Sequence, residues 1–381
     1  MRVLYFSRDY TPHDHRFLTA LANTEHQVFY LRLEKRGHAL EDRSLPSSIQ
    51  QVAWAGGRAP VSREESLRLL VDLKRVLRSV KPDLVHAGPI QRAAFLTALA
   101  GFRPLVSMSW GYDLLVDAER SQLWGWATRY TLKRSSVMVG DCNTIRERAM
   151  AYGMAGERVV IFPWGVDLDK FSPGEGKERG TVWPSFGQPD REREVFVLLS
   201  NRNWEPIYGV DVIARAFVLA SQRLASKGCP ELRLLMLGNG SQAGVLREIF
   251  LRGGVLEQVH FPGHVSQVDL ARYYRSSDLY LSASHSDGSS VSLLEAMACG
   301  VPVLVSDIPG NREWVDPGNH GWRFPDGDHR SMAEAIVQAV EQRERLPEMG
   351  HAARQVAEQR ADWNSNFPKL LEAYELVFRQ T

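Results

Sequence analysis

Short apolar runs alternate with amphipathic stretches along most of the chain. Residues 3–7 (VLYFS), 27–33, 83–86 (DLVH), 104–108 (PLVSM), 137–140 and 159–162 are too short for stable helices and are bounded by polar or turn-forming residues. They predict buried strands. Between them, near 16–22, 63–80, 91–100, 124–133 and 144–152, apolar positions recur at helical spacing. Strands alternating with helices in this way predict βα units and a mostly parallel sheet. The rhythm breaks at residues 173–193 (PGEGKERGTVWPSFGQPDRER), which are rich in Gly, Pro and charge and read as a linker or exposed excursion. It restarts with strands at 195–199, 232–237, 259–261, 279–282 and 303–306 and helices at 210–224, 242–250, 268–276 and 292–299. Helical patterns at 331–341, 349–358 and 367–378 follow. Two α/β domains are expected, with the crevice between them as the ligand site.

The length of 381 residues agrees with two domains, because single cores seldom grow past about 250–300 residues. Lys plus Arg total 46 and Asp plus Glu 45, so no basic excess is present to neutralise a phosphate backbone, and nucleic acid is not an expected partner. Cys142, Cys229 and Cys299 are far apart and form no CxxC pair, which fits a reducing cytoplasm. The first residues enter a strand-like run directly, and no run approaches the roughly 18 apolar residues of a membrane span. A cytoplasmic protein is expected. Arg120, Arg129, Lys133 and Arg134, on or beside the 124–133 helix, leave open peripheral contact with the inner face of a membrane.

The candidate chemistry concentrates in residues 279–300, LYLSASHSDGSSVSLLEAMACG. A strand ends at Ser282, a polar loop follows, and an apolar helix opens near Val291 or Ser292. A helix N-terminus presents unpaired N–H groups and partial positive charge, and so attracts anions. Gly288 lets a ligand approach the backbone, and Ser289, Ser290 and Ser292 add hydroxyl donors. Glu295 lies one turn into the helix and can accept hydrogen bonds from a vicinal diol such as a ribose. Phosphates on the amides, a ribose on Glu295 and a second sugar on Asp287 would accommodate a nucleotide-diphosphate sugar. An ordinary helix capped by Ser290, with Asp287 and Glu295 solvated, fits the same residues.

The spacing Asp287-x7-Glu295, followed by AMACGVPV, resembles the E-x7-E signature of the family 4 retaining glycosyltransferases, which have the GT-B fold; Asp287 stands where the family has Glu. Residues 158–171 (RVVIFPWGVDLDKF), 235–240 (LMLGNG), 261–265 (FPGHV), 309–314 (PGNREW) and 319–324 (NHGWRF) resemble further family segments in the same order. The resemblance implies two Rossmann-like domains whose parallel sheets face across a cleft. These would be residues 1–172, joined by a C-terminal helix at about 365–381, and residues 194–364. It implies donor contacts at Gly238, His264, Val265, Gly288, Ser289, Ser290, Val291 and Ser292. It also implies catalytic roles for Arg202 on the diphosphate, Asp287 on the donor sugar, Glu295 on the ribose and Asp113 on a sugar hydroxyl.

Two positions depart from the family pattern. Tyr208 replaces the lysine that would share the diphosphate with Arg202, and it brings no charge; Arg312 and Arg16 are conceivable substitutes. Trp110 replaces the histidine of a His-Gly-x-Asp motif, so it can stack or donate but cannot act as a base. Trp110, His86 and Asp14 are expected on the acceptor side, and the run His13-Asp14-His15 is too weak a pattern to predict a metal. The implied reaction moves a sugar from a UDP- or GDP-sugar to a carbohydrate or lipid-linked acceptor, retaining anomeric configuration and using no metal or other cofactor. Two other classes fit the departures: a non-catalytic nucleotide-sugar-binding subunit, and a GT-B-like epimerase.

Overall fold

The structure, a computed structural model, describes residues 1–35, 41–60, 65–174, 182, 195–226 and 229–379. Most of the excursion expected at 173–193 lies outside the described residues. The chain divides into two compact units, Met1–Phe162 with Phe367–Thr381, and Pro163–Asn366.

The first unit contains β1 (Arg2–Ser7), β2 (Gln27–Arg32), β3 (Gln50–Gln51), β4 (Leu84–Gly88), β5 (Leu105–Met108), β6 (Val137–Gly140) and β7 (Val159–Ile161). They form one parallel sheet in the order β3-β2-β1-β4-β5-β6-β7. Its helices are α1 (Pro12–Ala22), α2 (Ser66–Val80), α3 (Phe95–Ala100), α4 (Tyr112–Leu115), α5 (Gln122–Arg134) and α6 (Asn143–Ala151). The strands read as continuous apolar runs because helices cover both faces. On one face Leu4, Phe6, Val85 and Leu105 pack with Leu69, Leu73, Val76 and Leu77 of α2. The helix Pro368–Arg379 packs on β5, β6 and β7. Strand β3 escapes sequence reading because its two glutamines carry no apolar signal.

The second unit contains β8 (Val195–Ser200), β9 (Glu231–Leu237), β10 (Val259–Gly263), β11 (Leu279–Ser282), β12 (Val303–Ser306) and β13 (Gly321–Phe324). Its sheet is also parallel, in the order β10-β9-β8-β11-β12-β13. Its longer helices and the short turn after β12 are α7 (Val210–Ala225), α8 (Ala243–Arg252), α9 (Leu270–Arg275), α10 (Val291–Ala298), α11 (Pro309–Arg312), α12 (His329–Glu341) and α13 (Leu346–Arg360). One core cluster joins Phe217, Leu234 and Met332, and another joins Tyr274, Leu294 and Ala353. Both parallel sheets with their covering helices are Rossmann-like.

Residues 163–172, expected with the first domain, pack in the second unit. Val166 N–H donates to Ala361 O at 2.7 Å, Arg354 Nη1 donates to Phe171 O at 2.7 Å, and the Phe171 ring lies edge-on to Tyr274.

In the second sheet the strand order reverses between β8 and β11, so the loops that leave these strands diverge there. That is where open α/β sheets form ligand crevices. The loops are fastened to each other. Gly209 precedes α7 with φ of +57°, and a Cβ on it would lie 2.1 Å from Ala283 O just beyond β11. His285 N–H donates to Ile207 O at 2.9 Å. Gly209→Ala should therefore destabilise the second unit by about 1–3 kcal/mol, from left-handed backbone strain and the displaced carbonyl. Urea unfolding of wild type and variant measures this.

Candidate functional site

Loop 283–290 between β11 and α10 is held on its other side as well. A Cβ on Gly310, in α11, would come within 2.4 Å of Gly288 O and 2.5 Å of Asp287 O, so only glycine permits this approach. Ser306 Oγ donates to Ser284 O at 2.6 Å, and Trp314 Nε1 donates to Ser289 Oγ at 3.0 Å. These ties fix the path that carries Asp287 and the start of α10.

Arg202 enters this site from the end of β8. Its guanidinium lies over the Tyr208 ring, 4.2 Å from the centroid. Nη1 donates to Ser290 Oγ at 2.9 Å and to Ser292 Oγ at 3.2 Å, and Nη2 lies 2.8 Å from Asp287 Oδ2. Only 15% of the Arg202 side chain and 20% of that of Asp287 are exposed, so the pair is weakly screened. Burial alone would lower the pKa of the guanidinium; the Asp287 charge, together with Tyr208, Tyr280 and Tyr274, more than offsets it, and the net shift is upward. Asp287 Oδ2 makes the ion pair without an aligned hydrogen bond, which leaves it acceptor capacity.

Ser290 is the N-cap residue of α10, but its side chain does not cap the helix; it is turned to Arg202 and Ser292 instead. Ser292 Oγ also accepts from Tyr280 Oη at 2.8 Å. One turn on, Glu295 is 3% exposed and accepts from Tyr274 Oη at 2.8 Å, and that phenol accepts from Asn201 Nδ2 at 2.7 Å. Burial, followed by the Glu295 charge, holds the Tyr274 phenol protonated far above its ordinary range.

The neighbouring loops complete the carboxyl edge of the sheet. Gly238, with φ of +99°, follows β9, and a Cβ there would lie 3.1 Å from Arg202 O. Its N–H donates to Gly263 O at 2.8 Å, which sets the turn before His264 and Val265. His264 is exposed and Val265 half-buried. Arg202, Gly238, His264, Val265, Asp287, Gly288, Ser289, Ser290, Val291, Ser292 and Glu295 therefore all lie at the ends of β8, β9, β10 and β11. Sequence reading missed Tyr274 and Tyr280, the phenols beneath the site, because nothing local marks a buried tyrosine as a partner of a helix ten or more residues away. It also missed that the Tyr208 ring would carry Arg202. Arg312 is not spare charge: its Nε donates to Asp307 Oδ1 at 2.9 Å.

The expectations for the first unit fare differently. Asp113, expected on a sugar hydroxyl, is 3% exposed, and its carboxylate accepts from Ile90 N, Ser109 Oγ, Trp110 N and Leu114 N at 2.6–3.1 Å. It stitches the loops after β4 and β5, and burial raises its pKa to about 6 despite those donors. Asp14 is the third residue of a capping box with Thr11 and accepts from Tyr5 Oη at 3.0 Å. His86 does not end its strand: β4 continues to Gly88, and the imidazole is fully buried among Tyr5, Phe17 and Tyr374. Its Nδ1 is 2.7 Å from Tyr374 Oη, and burial pushes its pKa down to about 3. All three are buried and engaged within the unit. Trp110 is half-buried, its ring 5.4 Å from that of His13. His15 Nδ1 turns to Tyr10 Oη at 2.8 Å, so His13, Asp14 and His15 go to separate partners.

The comparisons agree with this geometry. The family model described as "Glycosyl transferases group 1" matches residues 184–356, and that described as "Glycosyltransferase Family 4" matches residues 13–170. The chain is 30% identical over 222 residues to D-inositol 3-phosphate glycosyltransferase 2 of Catenulispora acidiphila, covering 55% of this chain and 49% of that protein. It is 30% identical over 224 residues to the phosphatidyl-myo-inositol mannosyltransferase of Mycobacterium leprae, covering 58% and 54%. The match thus spans about half the length of these curated relatives. Among solved structures, Anabaena HepE in complex with UDP and glucose superposes with a TM-score of 0.77 at 18% identity, covering 98% of this chain and 99% of that one. Sucrose-phosphate synthase from Thermosynechococcus elongatus gives 0.79 at 16% identity, covering 100% of each. The fold is GT-B, and the chain belongs to the family 4 (group 1) glycosyltransferases.

Two outcomes follow. Tyr208→Phe should keep Arg202 in place, whereas Tyr208→Leu should lower the stability of the second unit by about 1 kcal/mol through loss of the cation–π contact, as urea unfolding would show. The second concerns His86, whose folded pKa lies below its unfolded value. The unfolded chain takes up a proton as pH falls through about 6.5 while the folded chain does not, so this group costs stability as pH falls. Between pH 7 and 5 the loss should reach about 2 kcal/mol, and His86→Phe should remove it from the unfolding of the first unit.

Proposed function

We propose that the protein transfers a sugar from a nucleoside-diphosphate donor, UDP- or GDP-linked, to a hydroxyl of a carbohydrate or lipid-linked acceptor, working in the cytoplasm at the inner face of a membrane. The observation that carries this reading is the buried Arg202 guanidinium, set on Tyr208 and aimed at the uncapped start of α10. A fixed cation beside helix amides is suited to a diphosphate, and it stabilises charge that grows on the leaving group without reorganising. Asp287 then exchanges part of its contact with Arg202 for hydroxyls of the donor sugar, and Glu295, oriented by Tyr274, takes the ribose. His264 and Val265 border the base.

The transfer retains anomeric configuration. The bond from the anomeric carbon to the diphosphate oxygen breaks as the acceptor oxygen bonds on the same face, and the acceptor proton passes to that departing oxygen. Positioning and charge stabilisation supply the catalysis, with no metal and no side-chain base of tuned pKa.

Thermal stabilisation by UDP-, GDP- and ADP-sugars identifies the donor, because a ligand of the folded state raises its stability. With that donor, Arg202→Ala and Glu295→Ala should each lower product formation by at least about tenfold. Melting curves must accompany the assay, since removing Arg202 leaves Asp287 without its counter-charge. Near wild-type turnover by both folded variants would overturn the assignment. Nuclear magnetic resonance of the first-formed product should show the donor's anomeric configuration.

A further inference from the structure

Helices α2, α3, α5 and α6 lie on crossovers that step the same way along the first sheet, from β3 to β4, β4 to β5, β5 to β6 and β6 to β7, and so share one face of it, and α2 and α5 are two of them. Their outward surface is unusual in two ways. Four of the eleven large hydrophobic side chains exposed among the described residues lie in the first two turns of α2 and α5: Leu67, Val71, Leu123 and Trp126, exposed by 73, 62, 64 and 49%. The same two helices carry seven cations, Arg68, Lys74, Arg75, Arg78, Arg129, Lys133 and Arg134, against one acid, Asp72, in a chain whose formal charge is only +1. Asp72 is already engaged, accepting from Ala55 N at 2.6 Å and pairing with Arg75 at 2.7 Å.

The arrangement is ordered along each helix. On α2, Leu67, Val71, Lys74 and Arg78 follow at intervals of three or four residues and share one exposed stripe. On α5, Leu123 and Trp126 do the same and lead to the half-buried Tyr130, with Arg129, Lys133 and Arg134 beside it. Trp126 is kept in an outward position by stacking on Tyr130 at 5.4 Å and by the edge of Phe95 at 5.7 Å, and Arg134 lies over the Tyr130 ring at 5.1 Å. Both helices thus present apolar and aromatic groups in their opening turns and cations mainly in their later ones.

We infer that this helical face docks on an anionic lipid surface, with Leu67, Val71, Leu123 and Trp126 entering the headgroup boundary and the later-turn cations holding phosphates. Tryptophan and tyrosine beside lysine and arginine match the two environments of a membrane interface, and neither apolar contact nor charge alone gives stable anchoring. The inference deepens the membrane-side location proposed above and does not depend on the donor site.

Flotation of the full chain with vesicles tests it. Wild type should bind vesicles of phosphatidylcholine and phosphatidylglycerol about tenfold more tightly than phosphatidylcholine alone, and salt should weaken the binding. L123Q/W126Q and L67Q/V71Q should each reduce that binding by about fivefold, and K74E/R78E/K133E should abolish it. The two apolar pairs lie on different helices, so one decides the matter if the other fails to melt like wild type. Absence of binding to the anionic vesicles, or equal binding by wild type and both apolar pairs, overturns the inference. If only the charge reversal matters, and it equally abolishes binding to soluble polyglutamate, the face meets an acidic protein instead. UDP binding, measured on the same samples, reports the donor site separately.

Discussion

A guanidinium taken out of water must be compensated where it sits, and the second unit is arranged around that requirement. Arg202 is compensated by the Asp287 carboxylate, the Tyr208 ring and the hydroxyls of Ser290 and Ser292. These partners come from two loops that leave adjacent strands at the point where the strand order reverses. These loops can meet there only because Gly209 lets backbone approach backbone where a Cβ would collide, and Gly310 of α11 does the same on the other side of the β11 loop. The cation, the helix start and the close-packed loops are therefore one construction: loosening the loops would strand the charge, and removing the charge would leave Asp287 uncompensated.

That construction explains two features that look contradictory in isolation. Ser290 occupies an N-cap position yet does not cap, because its hydroxyl is taken by Arg202. Tyr208 stands where a second cation is expected, yet it serves the first one by offering its ring face. Arg202, the buried cation of this site, is already paired. An anion that enters must compete with Asp287 for it, and the released carboxylate becomes an acceptor for hydroxyl groups.

Buried ionisable groups in the first unit follow a different logic. Asp113 gathers four donors from the loops around it, Asp14 closes the first turn of α1, and His86 bridges to Tyr374 on the last helix. Each is saturated or enclosed by its own unit, so the displaced pKa values of Asp113, Asp14 and His86 reflect burial in a scaffold. A perturbed titration marks function only when the group also faces a ligand. Among the outward-facing groups of the first unit are the apolar and cationic residues of α2 and α5.

Apolar periodicity alone determined the alternation of strands and helices, because burial on both sheet faces leaves uninterrupted runs such as LYLS and VLVS. Strand β13 is seen only in the fold: Gly321 belongs to it because a Cβ would lie 1.8 Å from Val303 O, a neighbour set by strand pairing. The spacing of Asp287 and Glu295 around a glycine and three serines was enough to locate the helix mouth, since those contacts are local. Which way each side chain turns was decided by the tertiary structure. Residues distant along the chain, Tyr374 for His86, Ile90 for Asp113 and Tyr208 with Asp287 for Arg202, determined whether a polar group became scaffold or site. One-dimensional spacing carries the local backbone geometry, whereas the partner that satisfies a buried charge is chosen by packing across the sheet.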